Sequence, residues 1–453
     1  MSTELVIGCV GKPSAGKSSF LNAATDSNAK VGNYPFTTIE PNYGVTYYPT
    51  QCPCLKYEKT NLCQPRYGRC QNGTRYIPVK MLDVAGLVPG ASEGKGLGNQ
   101  FLDDLRHAHV LLHVVDVSGN TNEKGEETTG YDPINDVQWL KDEIHSWIYN
   151  NLWKRWTNIV RKQKTTKSLA ETILHKKLSG YGTRLRLVQE SLAKMGAREP
   201  IELDTWDQET VHQLVDAFLE VRFPMVLVLN KVDVSTSDAN INKICMKYPD
   251  MKMVPTSALA EIFLRKMRTQ SYIEYREGDD NFATNDTNTN LKQCDEKLLS
   301  RLDKLRDLVL FRYGSTGIQE AIKTAVELKR FLPVYPVKNL KSLSCDKAGG
   351  SVLRDCMLVS RGTQVRELAG FIHPDLEKHY LYAEGVNGQR VSEVEEHSFY
   401  HSLTFLFRDY YSLERQRRST NQTTSSSSQV RCSKVIIKNR MDVGWTWMDR
   451  HLF

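Results

Sequence analysis

Short, almost unbroken apolar runs recur through the first half of the chain, at residues 5–10, 77–83, 110–116 and 223–229, with a shorter one at 252–255. A strand that reads as a continuous apolar run is covered on both faces, as in a parallel sheet. A further strand is expected at 42–48, and helical spacing appears at 19–24 and 99–107. Beyond residue 136 the strand signals stop for some eighty residues, and helical stretches at 137–157 and 168–195 replace them. The pattern predicts an α/β fold, a doubly wound sheet interrupted by a helical insert.

Past the last apolar run, residues 279–290 are rich in Asp, Asn and Thr and read as a loop. Leucines at 298, 302, 305 and 308 give a helical face, and 317–331 reads as a second helix. A different pattern begins at Pro333. Strand-like 334–337 and 357–359 frame a small segment, 363–372 reads as a capped helix, and 380–390 as a strand closed by a turn. These suggest a compact α+β module. Residues 414–433 are rich in Arg and Ser and read as a flexible insertion, with a final strand at 435–438. The expected division is therefore 1–130 with 220–332 for the sheet domain, 131–219 for the inserted helices and 333–440 for the last module.

The chemistry is carried by the turn after the first run, Gly11-Lys12-Pro13-Ser14-Ala15-Gly16-Lys17-Ser18, followed by Ser19. Strand, glycine-rich turn and helix form the context in which this spacing cradles phosphates. Gly11 and Gly16 let the backbone turn its N–H groups inward, and the new helix adds its positive end. Lys17 offers a charge to the β- and γ-phosphates, and Ser18 a hydroxyl to Mg²⁺. Asp83, at another strand end, can hold the water shell of Mg²⁺, and Gly86 a backbone N–H to the γ-phosphate. Asn230-Lys231-Val232-Asp233 ends a third strand. A carboxylate there accepts two hydrogen bonds from guanine, whereas adenine would leave Asp233 unpaired. Lys231 would lie along the base through its aliphatic stem, and Ser257-Ala258 fits a loop whose N–H contacts guanine O6.

Composition narrows the setting. With 453 residues, 40% hydrophobic and 25% charged, the chain is long enough for two or three domains. No run reaches a membrane span, and the first strand starts too early for a signal peptide. A cytoplasmic protein without membrane partners is expected, its ten cysteines serving as thiols or metal ligands. The net charge of +7 is modest, but residues 150–198 hold twelve basic side chains and two acidic ones, interleaved with Trp153, Trp156 and Tyr181. That local excess favours RNA backbone contact over a merely solvated face.

Pro13 in the phosphate loop, Tyr34-Pro35-Phe36-Thr37-Thr38 and Asp83-Val84-Ala85-Gly86-Leu87-Val88-Pro89-Gly90-Ala91 resemble the Obg-like branch of translation-associated GTPases. Within it the chain is most similar to the YchF-related group, in the archaeal and eukaryotic subgroup with a cysteine-rich loop and a C-terminal ubiquitin-like TGS domain. The resemblance implies GTP and GDP with Mg²⁺, Thr38 as the switch residue touching Mg²⁺ and γ-phosphate, and ribosomal or RNA partners. Ser14 stands where many relatives have an Asn that coordinates potassium, which leaves potassium dependence unsupported. Leu87 stands where many GTPases have a water-orienting Gln, and a leucine cannot hydrogen-bond water. Slow hydrolysis resting on Lys17, Mg²⁺ and backbone N–H groups is expected. An RNA-binding adaptor with a structural nucleotide is the second reading, and an ATPase, which Asp233 argues against, the third.

Cys52, Cys54, Cys63 and Cys70 lie between two strands. Four thiolates closing a polar loop suit tetrahedral Zn²⁺, but their spacing is not that of two C-x₂-C knuckles. Zinc site and free thiols on a long hairpin both stay open. The sequence is silent on oligomeric state.

Overall fold

The computed structural model describes residues 5–25, 43–84, 98–345, 351–361, 363–385, 390–391, 405–409 and 435–436. Its centre is a seven-stranded sheet. The strands are β1 (Val6–Val10), β2 (Tyr43–Gln51), β3 (Arg69–Gln71), β4 (Thr74–Asp83), β5 (Val110–Asp116), β6 (Met225–Asn230) and β7 (Lys252–Thr256). Their order is β2-β4-β1-β5-β6-β7, with β3 beside the start of β4. Strands β4, β1, β5, β6 and β7 run parallel, and β2 and β3 are antiparallel to β4.

The unbroken apolar runs have the physical cause inferred for them, because helices cover both faces. Ile7, Cys9, Leu112 and Val114 face one core, which Ile318, Ile322 and Val326 of helix Ile318–Leu328 close. Val6, Val10 and Leu111 face another, shared with Leu140, Ile144 and Ile148 of helix Ile134–Trp153. That second core runs on through helices Trp156–Thr166, Ala170–Leu178, Leu185–Lys194 and Gln208–Arg222, so the helical stretch packs onto the sheet as one hydrophobic body. Arg222 rivets the junction, donating to the carbonyls of Tyr181, Ala108 and Arg106 at 2.8, 2.7 and 2.6 Å.

Element bounds differ from the sequence pattern where the backbone turns. The 168–195 stretch is two helices, separated by a turn in which Gly182 has φ +69° and lies against the Arg106 carbonyl. Helix Ile318–Leu328 stops short of 331 because Arg330 adopts a left-handed φ of 55°, and the chain enters β8 (Phe331–Pro336) at once. At helix Val365–Ile372 the expected cap is missing, since the Thr363 hydroxyl bonds back to the Ser360 carbonyl and Gln364 caps nothing. Strand β8 pairs with β9 (Met357–Ser360) and, on its other edge, with β13 (Val435–Ile436). A second small sheet orders β11 (Arg390–Val391), β10 (Tyr380–Gly385) and β12 (Phe405–Asp409). The Arg/Ser-rich stretch lies outside the described residues.

Candidate nucleotide-binding site

The phosphate-loop residues sit between β1 and helix Lys17–Ala24, at the carboxyl ends of the parallel strands. Ligands of open α/β sheets bind at that edge. Gly11 and Gly16 have φ of 148° and 96°, and Ser14 a left-handed 60°. A Cβ at Gly11 would lie 2.5 Å from the Val114 carbonyl oxygen, and one at Gly16 2.3 Å from Asn230 Nδ2, so glycine is required by space as well as by torsion. Lys17 is buried in the loop, its Nζ donating to the carbonyls of Gly11 and Lys12 at 2.9 and 2.8 Å. Burial lowers its pKa, partly opposed by Asp83. Ser18 and Ser19 are exposed, and Ser18 Oγ lies 3.4 Å from Asp83 Oδ2. Burial raises the Asp83 carboxyl, against the pull of Lys17 and Ser18.

Asn230 is the hub of the other half. Its Nδ2 donates to the Ala15 carbonyl at 3.0 Å, and its Oδ1 accepts from the Ala258 N–H at 3.2 Å. One side chain therefore spaces the phosphate loop from the loop after β7. Asp233 Oδ1 accepts from Ser257 Oγ at 2.7 Å, and Ser257 also caps helix Ala258–Thr269 through the Ala260 N–H. Lys231 has a left-handed φ of 72° and sends Nζ to Asp116 Oδ2 at 2.7 Å.

Two side chains carry roles that the sequence pattern does not reveal. Asp116 closes β5 and is fully buried, accepting from Lys231, from the Ser118 N–H and hydroxyl, and from the Thr121 hydroxyl. Burial raises its pKa, but these hydrogen bonds, led by Lys231, win and hold the carboxyl low. Lys12, grouped with the nucleotide contacts by motif, turns its side chain inward instead. Its Nζ pairs with Asp136 at 2.8 Å, donates to the Thr121 carbonyl at 2.7 Å and lies 4.1 Å over the Tyr131 ring. Only its backbone belongs to the loop lining. Pro13 meets the segment after β5 at Gly125, where a Cβ would stand 2.7 Å from the proline. Thr38, Gly86 and Leu87 lie outside the described residues.

Residues 228–339 match the family described as "Obg-like GTPase YGR210-like, G4 motif-containing domain", and residues 6–162 the family "50S ribosome-binding GTPase". An uncharacterized GTP-binding protein of Schizosaccharomyces pombe is 44% identical over 390 residues, covering 86% of this chain and 94% of that protein. The chain belongs to the YchF-related Obg-like GTPases. A crystal structure of a GTP-binding protein from Pyrococcus horikoshii superposes with a TM-score of 0.68 at 33% identity, covering 89% of this chain and 100% of that one. The ribosome-binding ATPase YchF of Bacillus subtilis is 25% identical over 389 residues, covering 84% of this chain and 88% of that protein. This chain is a GTP-binding protein, and none of its described helices is long and apolar enough to cross a membrane.

The cysteines form a second centre. Cys52 and Cys54 flank the start of helix Pro53–Lys56, Cys63 follows a short turn, and Cys70 lies on β3. Their four Sγ atoms lie within 4.8 Å of one another. Cys52 and Cys63 are 3.8 Å apart and Cys54 and Cys70 3.7 Å, far too long for disulfides. Arg75 Nη1 donates to Cys63 Sγ at 3.6 Å, and its Nη2 to the carbonyls of Leu353 and Arg354 at 2.9 and 3.1 Å. The cluster packs on Tyr335, Val337, Val352 and Leu353 of the C-terminal part.

Proposed function

We propose that this protein is a slow, Mg²⁺-dependent GTP hydrolase whose nucleotide state governs association with ribosomes through ribosomal RNA. The observation that carries it is the placement of Asn230 and Asp233 beside the phosphate loop, one tying Ala15 to Ala258 and the other bonded to Ser257. In this reading Asp233 takes the guanine N1–H and N2–H₂, and the Ala258 N–H side of the loop lies toward O6. Gly11, Pro13, Ser14, Ala15, Gly16 and Ser19 line the phosphates, and Lys17 brings a buried cation to them. Ser18 Oγ and Asp83 are the hard oxygen donors that Mg²⁺ prefers, 3.4 Å apart, with Thr38 a third donor. Bound there, Mg²⁺ supplies charge neutralisation for the departing phosphates. This protein's own part is to hold Lys17 and the loop N–H groups fixed, which lowers the cost of reorganisation during reaction.

Specificity is tested by competition. Wild-type protein should bind GTP at least a hundredfold tighter than ATP, and Asp233→Asn should shift preference to xanthine nucleotides. Equal affinity for ATP would overturn the guanine assignment. For function, co-sedimentation with ribosomes in GTP, GDP and nucleotide-free states should differ, and single-turnover phosphate release should accelerate with ribosomes. Absence of release in both conditions would favour the adaptor.

RNA contact falls to the helical stretch. Lys154, Arg155, Arg161, Lys162, Lys167 and Arg198 are exposed there, whereas Lys164 and Arg186 pair with Asp204 and Glu190. Trp156 and Tyr181 are buried and serve the core. Ribosomal RNA binding should therefore weaken steeply as salt rises, through counterion release. The cysteine centre is proposed to hold one structural Zn²⁺. Four thiolates at a Zn–S distance of about 2.3 Å stand about 3.8 Å apart in a regular tetrahedron; here Cys52–Cys63 and Cys54–Cys70 are 3.8 and 3.7 Å apart, and all four Sγ lie within 4.8 Å.

A further inference from the structure

A cavity of about 390 Å³ opens on the side of the sheet domain away from the phosphate loop. Its walls are the end of helix Lys17–Ala24 at Ala24, strands β2 and β3, helix Ala258–Thr269 and the segment just after it. Four guanidinium groups converge on it, from Arg69, Arg265, Arg268 and Arg276. The one carboxylate among its lining residues, Glu277, is shared by three of them, at 3.8 Å from Arg69, 3.5 Å from Arg265 and 3.3 Å from Arg268. Arg276 pairs at 3.5 Å with Asp279, which is not among the lining residues. A single carboxylate cannot neutralise three cations, so the lining keeps an excess of positive charge.

The cations are held in place. Arg69 lies between two tyrosines, 5.2 Å from the Tyr47 ring centre and 4.3 Å from that of Tyr76. Arg265 Nη1 donates to the carbonyls of Ala23 and Thr25 at 2.6 and 3.0 Å, at the negative end of the helix whose other end opens the phosphate loop. Gln319 lines the same cavity, and its buried Oε1 has no hydrogen-bond partner among the described residues. A buried acceptor without a partner is costly and calls for a donor, which a hydroxylated ligand in the cavity would bring. Guanidinium groups match phosphate oxygens in geometry and charge. The volume is that of a small-ligand pocket and too small for a nucleic-acid helix.

We propose that this cavity is a second anion site, which takes a small sugar bisphosphate, with phosphates on Arg69, Arg268 and Arg276 and a hydroxyl donating to Gln319. The shared chemistry is two phosphates on a hydroxylated scaffold, which a free sugar or a nucleoside could supply. The site is separate from the nucleotide pocket and lies at the far end of the helix that follows the phosphate loop, with Arg265 bonded to that helix end.

The test is calorimetric titration of full-length protein saturated with Mg²⁺ and GDP, so that the phosphate loop is filled. Fructose 1,6-bisphosphate and adenosine 3′,5′-bisphosphate are the two probes, with inorganic pyrophosphate for comparison and a single-stranded RNA oligonucleotide as the competing partner. One saturable site for either bisphosphate is expected, and the one that binds identifies the source. Arg268→Gln should weaken it by about tenfold or more, as loss of one charge-assisted contact does. Gln319→Leu should abolish the advantage of the bisphosphate over pyrophosphate and leave pyrophosphate binding intact. GDP affinity should be unchanged in both variants, which reports an intact fold. No saturable binding of either bisphosphate, or equal affinity in wild type and Arg268→Gln, would overturn the proposal. Binding of the oligonucleotide alone, weakened by Arg268→Gln, would overturn it in favour of an RNA contact.

Discussion

At the scale of single residues, the half of the site around Asn230 is held by a few side chains whose partners are far away in sequence. Asn230, Asp233 and the loop from Gly11 to Ser18 are legible from the sequence because each motif is local and its spacing is fixed by the geometry of a turn. Asp116 and the inward turn of Lys12 are not, because their partners Lys231 and Thr121 stand 115 and 109 positions away. Nothing within a short window signals such pairs. The Lys12–Asp136 pair is almost fully enclosed, with side chains 1% and 3% exposed. Removing one member leaves a buried charge uncompensated, which costs about 3–5 kcal/mol. Denaturant unfolding of Lys12→Met should show a loss of that order, and Lys12→Met with Asp136→Leu should recover much of it. A loss confined to nucleotide affinity, with stability unchanged, would mean that Lys12 acts on the ligand and not on the fold.

At the scale of elements, the cysteine loop is a clasp between the sheet domain and the C-terminal part. Besides Arg75, backbone bonds join the two: the Arg66 N–H donates to the Arg354 carbonyl at 2.8 Å, and the Val352 N–H to the Leu62 carbonyl at 3.3 Å. The loop between Cys52 and Cys70 has few apolar residues to hold it, so metal binding would contribute most of its order, on the order of 10 kcal/mol. Elemental analysis of untagged protein should find one zinc per chain, and four freely titratable thiols would refute the site. Chelation should raise hydrogen exchange at 62–66 and 352–354 together and leave β5 and β6 protected. The sequence revealed the cysteines but not this docking, since a spacing pattern carries no information about the surface a loop folds onto. It also overran the helix before β8, where Arg330 takes a conformation that apolar periodicity cannot register.

At the scale of the whole molecule, one core joins sheet and helical stretch, and His109 sits at their meeting point. Its Nδ1 accepts from the Val6 N–H at 3.1 Å and its ring meets Phe331 of β8 edge-on at 6.4 Å. Burial, reinforced by the charges of Arg222, Lys329 and Arg184, lowers its pKa from the ordinary 6.5 to about 4. Between those values the unfolded chain binds the extra proton and the folded chain does not. Stability from this group is therefore fully present above about pH 6.5 and falls as pH drops toward 4, by about 3 kcal/mol. Chemical denaturation across that window should show a shallower acid slope in His109→Gln, and an unchanged slope would refute the assignment.

The bond from Asn230 to the Ala15 carbonyl spans 215 positions. That span sets a schedule for biosynthesis. At about 5–20 residues per second, the ribosome takes roughly 10–40 s to deliver Asn230 after Ala15. In that interval the nascent chain has the loop from Gly11 to Ser18 but not the side chain that ties it to the loop after β7, nor the carboxylate proposed above to select guanine. On the proposed reading, a newborn chain acquires selective nucleotide only after its helical stretch has been made, which makes loading a late event in its own synthesis.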